Sequence, residues 1–191
     1  MKYKPDKDGI IVDDEISFED WIKQKKDVQK EKRDRLLTTS IDDTLVKGSI
    51  WILRGKDRKL TTESRTSFYL INFGLRLFQK LPLSSIRKEI RKIYYEKPEK
   101  IRFALSSHYP FSIAPRIKQL FIYVPDSLAG QIANIADDIG LRRSEITFLS
   151  LVYGLSKCDS WISPFYKEKF ESEIRQFAIW TEHRLKDLAS Y

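Results

Sequence analysis

The chain has 191 residues, 41% of them hydrophobic and 13% aromatic, enough for a real core in one large or two small domains. A charged fraction of 32% and the lack of any apolar run near the ~18 residues a bilayer requires argue against a membrane protein. A single cysteine, Cys158, excludes a disulfide framework or a Cys-rich metal site within one chain. The opening MKYKPDKDGII lacks the apolar segment of a signal peptide, so an intracellular location, cytoplasmic or nucleoid, is expected. Asparagine occurs only at 72 and 134 beside abundant Lys and Glu, a composition that suggests a thermophilic source.

The net charge of +8 is unevenly spread. Residues 1–46 carry 10 basic and 12 acidic side chains, residues 47–102 carry 15 and 5, and residues 103–191 carry 10 and 10. The excess therefore sits in the middle third. It fits a polyanion partner bound through counterion release, or a solvated basic face with no partner.

Residues 1–16 read as a polar arm. Ser17-Phe18-Glu19-Asp20 resembles a capping box, opening a charged helix to about Leu37. SIWILR at 49–54 reads as a short strand and GKDRK at 55–59 as a basic turn. A largely buried helix follows from 61–63 to about Lys80, closed by Leu81-Pro82. Ser84 or Ser85 then caps IRKEIRKIYYEK. Ile86, Ile90, Ile93 and Tyr94 line one face of that helix, and Arg87, Lys88, Arg91 and Lys92 line the other. KIRFAL at 100–105 is another strand candidate, and a proline-bearing loop, 106–116, leads on.

In residues 119–124, Leu120, Ile122 and Val124 alternate with Gln119, Phe121 and Tyr123, the period of a half-buried strand. Pro125 ends the strand and suits a helix start. Leu128, Ile132, Ile135, Ala136 and Ile139 recur at helical spacing up to Gly140, a residue tolerant of positive φ. Ser144 can cap a second helix bearing Ile146, Leu149, Leu151 and Leu155. Pro164 opens a last helix to about Leu188. Its seam of Tyr166, Phe170, Ile174, Phe177, Thr181, Leu185 and Leu188 seeks another helix, in a second chain or over residues 68–78.

This order, with the VPDSL junction at 124–128, Ala136-x-x-x-Gly140-Leu141 and RRSE at 142–145, resembles the ribbon-helix-helix family of DNA-binding proteins (MetJ, Arc and CopG type). The similarity covers about residues 116–157. It implies an intertwined homodimer, paired through strand 119–124, whose ribbon enters the major groove while second-helix N-termini meet phosphates. The expected fold class is mainly α with short β-strands. The expected parts are a charged arm and helix (1–46), a basic, mainly helical region (47–110), the ribbon-helix-helix module (116–157) and a long amphipathic C-terminal helix (161–191). A lone strand that cannot form a hairpin supports the pairing independently, because its backbone must find a distant segment or another copy. Residues 49–54, residues 100–105 and a second chain are all candidate partners.

On this reading Gln119, Phe121 and Tyr123 face the bases. Gln119 can pair with adenine, and Phe121 can touch a thymine methyl. Family members usually place polar or basic residues there, and two aromatics on one face could instead be buried. Arg116, Lys118, Arg142, Arg143 and Ser144 would hold flanking phosphates, with Arg87, Lys88, Arg91 and Lys92 extending the contact.

A weak echo links Ser64, Phe68, Phe73-Gly74-Leu75 with Ser144, Phe148, Tyr153-Gly154-Leu155, 80 positions later. It is either a degenerate first copy or chance, and the strand-to-helix spacing fails, because Leu53 to Ser64 leaves no room for a full first helix.

Catalytic patterns are missing. His108 and His183 stand apart from any triad or ligand spacing, and no phosphate-loop or zinc-protease motif occurs. Asp13-Asp14-Glu15 and Asp42-Asp43 could hold a metal only if folding joined them. The expectation is a non-enzymatic protein without cofactor or metal, binding double-stranded DNA specifically as a transcriptional regulator. The alternative is a structural or partition protein that coats nucleic acid without specificity and uses the module only to dimerise.

Overall fold

The computed structural model describes residues 16–25, 32–113 and 117–191. The elements in chain order are α1 (Phe18–Gln24), β1 (Arg35–Ile41), α2 (Val46–Leu53), α3 (Glu63–Gly74), α4 (Leu83–Glu96), α5 (Ile101–Leu105), β2 (Lys118–Val124), α6 (Asp126–Ile139), α7 (Arg143–Ser156) and α8 (Pro164–Ala189). Short 3-10 segments, Leu75–Lys80 and Pro98–Lys100, follow α3 and α4. The chain is thus mainly helical with one two-stranded antiparallel sheet among the described residues.

The strand at Lys118–Val124 forms as its alternation requires, with Leu120, Ile122 and Val124 buried. Its partner is β1, in the same chain, paired in the register Leu36 to Tyr123, Thr38 to Phe121 and Ser40 to Gln119. The twin strand expected from a second copy is therefore supplied internally. The sequence RLLTTSI explains why: it alternates Leu37, Thr39 and Ile41 inward with Leu36, Thr38 and Ser40 outward. This corrects the long N-terminal helix, which stops at Gln24; part of that expected span, 26–31, lies outside the described residues, as does the arm at 1–15.

Two more strand expectations are overturned. Residues 49–54 belong to α2, because Asp42 accepts the N–H groups of Leu45 and Val46 and caps the turn ahead of it. A six-residue apolar run does not by itself distinguish buried strand from buried helix. Residues 101–105 form α5, whose start follows Pro98 at the head of a 3-10 turn. Three helix boundaries also shift. The helix from 63 turns 3-10 after Gly74. Helix α4 starts at Leu83 behind Pro82 rather than at a serine cap. Arg142, not Ser144, occupies the cap of α7, and its N–H donates to the Glu145 carboxylate at 2.8 Å.

With these corrections the order strand, helix, helix occurs twice: β1-α2-α3 and β2-α6-α7. Helix α6 ends on Gly140, φ 74°, and a second glycine of positive φ, Gly55 at 82°, lies just past the Arg54 cap of α2. The halves interlock. Helix α3 lies on α7, β1 packs on α7, and β2 packs on α3. Thr39 donates its hydroxyl to the Ser144 carbonyl at 2.8 Å, while the Tyr123 N–H donates to the Ser64 hydroxyl at 3.0 Å. Where the helices cross, a β-carbon on Gly74 would collide with the Ser150 carbonyl, and one on Gly154 would come within 2.6 Å of the Leu70 carbonyl oxygen. Residues 70 and 74 thus meet residues 150 and 154, their own counterparts 80 positions later, as a two-fold arrangement requires. The echo in the sequence is a structural repeat. Its apparent spacing defect arose from reading α2 as a strand.

One continuous core runs from Phe18 through Phe68, Phe73, Phe148 and Phe177 to Leu188. The rest of the chain braces the interlocked halves. Helix α8 folds back along α7 and α4, and Phe78 meets Phe177 edge to face at 6.1 Å between ring centres, so its seam is met within the chain. Trp161 and Trp180 pack half-buried on this core. Helix α1 is tied to the segment after α7 by buried Glu19, which accepts the N–H groups of Asp159, Ser160 and Trp161 at 2.9–3.0 Å. The loop before β2 is held by Glu173, whose carboxylate accepts the N–H groups of Ser112 and Ile113 at 2.9 and 3.2 Å.

Candidate nucleic-acid interface

Strand pleat and register fix what the ribbon shows outward. With one face sealed on the helices, the other carries Leu36, Thr38 and Ser40 from β1 and Gln119, Phe121 and Tyr123 from β2. Leu36, Phe121 and Tyr123 are 48%, 54% and 53% exposed, so the aromatics are not covered by another layer among the described residues. Gln119 is also exposed. The β1 face is absent from the sequence expectations because Leu36 falls at the end of the expected helix and Thr38 and Ser40 fall in no expected element. Its Thr-rich alternation was the available signal.

A groove of about 580 Å³ runs from the ribbon edge to the start of α7, lined by Leu36, Thr38, Asp126, Arg143, Ser144 and Thr147. Arg142 and Arg143 are exposed at this helix start, where the helix dipole favours an anion and the Glu145 carboxylate already accepts the Arg142 N–H. The equivalent start of α3, capped by the Thr62 hydroxyl accepting from the Arg65 N–H at 3.2 Å, follows a loop with exposed Arg54, Lys56 and Arg58. These three cations were legible only as a basic turn. In the strand-helix-helix order they precede α3 as Arg142 precedes α7.

The other expected cations divide. Lys118 is about half exposed, with Asp43 at 3.9 Å. Arg35, at the ribbon's end, pairs with Asp126, which raises its pKa by hydrogen bond and charge. Arg116 lies outside the described residues. On α4, Arg87, Lys88, Arg91 and Lys92 are all exposed as expected. Arg87 forks onto Asp138 of α6, which holds its pKa up and docks α4 beside the α6–α7 turn. Arg91 therefore lines an open groove of about 800 Å³ together with Tyr94, His108 and Arg142. Helix α4 thus places part of its basic face next to one helix start of the repeat.

Nothing at this surface has the arrangement of a metal centre: no group of three or more His, Cys, Asp or Glu side chains able to hold a metal occurs among the described residues. Asp42 is used as a helix cap, and Asp43 faces Lys47 at 3.6 Å. Cys158 is fully buried, and burial, with the Glu19 and Asp159 charges, pushes its thiol pKa well up. Among the described residues no helix is long and apolar enough to cross a membrane. Comparison with known proteins finds no match to a family model, to a curated protein or to a solved structure.

Proposed function

We propose that the chain is a ribbon-helix-helix protein that builds both halves of the DNA-reading unit from one polypeptide and binds double-stranded DNA sequence-specifically, as a transcriptional regulator rather than an enzyme. The observation that carries this reading is the outward exposure of Gln119, Phe121 and Tyr123 on a two-stranded ribbon whose far face is sealed. Such a ribbon has the width of the B-DNA major groove. The ribbon supplies hydrogen-bonding and apolar groups for base edges. Arg142, Arg143 and Ser144 at one helix start, and Arg54, Lys56 and Arg58 before the other, supply phosphate contacts on either side. The Arg91 groove extends the positive surface beyond α7. Phosphate contacts position the protein, and ribbon contacts specify the sequence.

The test is selection from a random duplex pool, followed by binding to the selected site and to random DNA over a range of salt. Gln119→Ala is expected to cost about 1–3 kcal/mol on the selected site and to relax one base position. Arg91→Ala is expected to weaken selected and random DNA alike and to flatten the salt slope. Equal losses on both DNAs for Gln119→Ala would remove base reading.

A second reading is favoured by the apolar trio Leu36, Phe121 and Tyr123: the ribbon face docks a protein while the basic segment coats nucleic acid without specificity. A specificity ratio near one in the same competition selects this structural role.

A further inference from the structure

We infer that the DNA site is asymmetric and is filled by a single chain, an inference that rests on the duplex-binding reading. When two identical chains form a ribbon, the two-fold axis makes both strands carry the same outward residues, and the target mirrors that symmetry. Here matching β1 end to end with β2, Arg35–Ile41 on Lys118–Val124, puts the approximate axis beside the Thr38–Phe121 pair. It carries each β1 residue onto the β2 residue 83 positions later. Leu36 is thereby matched with Gln119, Thr38 with Phe121, and Ser40 with Tyr123.

None of the three matches is chemically conservative. One end of the ribbon offers an aliphatic group where the other offers an amide with donor and acceptor. A hydroxyl answers a phenyl ring at the middle, and a short hydroxyl answers a long phenol. An amide can pair bidentately with adenine; a leucine cannot and can only contact a thymine methyl. The flanks differ as well. Arg142 and Arg143 stand directly at the start of α7, whereas Arg54, Lys56 and Arg58 lie in a loop before α3; each helix has one glutamate in its first turn, Glu145 and Glu63. The order of elements is repeated and the outward chemistry is not. The preferred duplex should therefore differ from its own reverse complement.

The experiment uses the full chain and a random-sequence DNA duplex pool, with the selected complex weighed in solution. The expected result is a motif that is not an inverted repeat, occupied by one chain. An inverted-repeat motif, or two chains on the minimal site, overturns the inference while leaving the duplex reading in place. No enrichment of any sequence removes the duplex reading, and the inference with it. Two variants sharpen the test. Leu36→Gln with Thr38→Phe and Ser40→Tyr makes both strands present the β2 set; Gln119→Leu with Phe121→Thr and Tyr123→Ser makes both present the β1 set. These side chains lie on the outer face, and circular dichroism checks that each variant folds. Each folded variant should select an inverted repeat of one half of the parent motif, preferring it over the parent site by about tenfold or more. An unchanged motif in a folded variant overturns the assignment of these residues to base reading.

Discussion

Gly74 and Gly154 carry the closest approach between the halves, where α3 and α7 cross backbone to backbone. A methyl at Gly74 meets the fixed carbonyl of Ser150 rather than a flexible side-chain tip, so the helices must separate. Gly74→Ala is expected to destabilise the fold by about 3 kcal/mol, and Gly154→Ala by somewhat less, read as a lower urea midpoint at unchanged slope. Glu19 is a different kind of single-residue constraint. Its carboxylate satisfies three consecutive N–H groups, and truncation strips all three of their acceptor. Glu19→Ala should cost about 3 kcal/mol by the same measurement, with Glu19→Gln recovering part of it. Cys158 lies beside that anchor. Sealed and held as a thiol, it should resist alkylation in the native protein and react once denaturant opens the core; rapid labelling without denaturant would contradict the packing around it.

Among the elements, those with a full pattern were legible in the sequence. The β2 alternation, the Pro125 break, the α6 stripe ending at Gly140, and the long seam of α8 each form where their spacing places them. Segments whose local pattern is short or mixed were misread. Leu36 and Leu37 fall in an expected charged helix because β-structure in RLLTTSI is stabilised by a distant partner, Leu36 by Tyr123 and Leu37 by Ile122, which no local window contains. SIWILR looks like a strand, but Asp42 and the packing of Ile50 and Leu53 make it helical. Of the candidate site, the β2 face and the Arg142–Ser144 turn were readable. The β1 face and the Arg54–Arg58 loop were not, because their meaning depends on the repeat. The same logic gives a prediction at element scale. Thr39→Pro removes an N–H that faces β2 in the middle of a two-stranded sheet, and should unfold the β1–β2 unit rather than the edge alone, seen as loss of amide protection in residues 118–124.

At the scale of the molecule, the decisive fact is that each half buries much of its apolar face against the other, with α1, α4 and α8 covering the remainder. Strand β2 packs on α3, β1 packs on α7, and the helices cross at paired glycines, so neither strand-helix-helix half closes a core alone. Placed on separate chains, such halves fold only on association, and their stability rises with concentration. Placed on one chain, the second half is present at a fixed effective concentration set by the residues that connect them. The connection is itself structured: α4 and α5 fill it, and Arg87 on Asp138 and Arg184 on the Ala104 carbonyl fasten it to the second half and α8. The thermal midpoint of the free protein should therefore stay constant across a hundredfold range of protein concentration, with a monomer's sedimentation at both extremes. A midpoint that climbs with concentration would mean that a second copy completes the folded unit, and would return the ribbon to a pairing between chains.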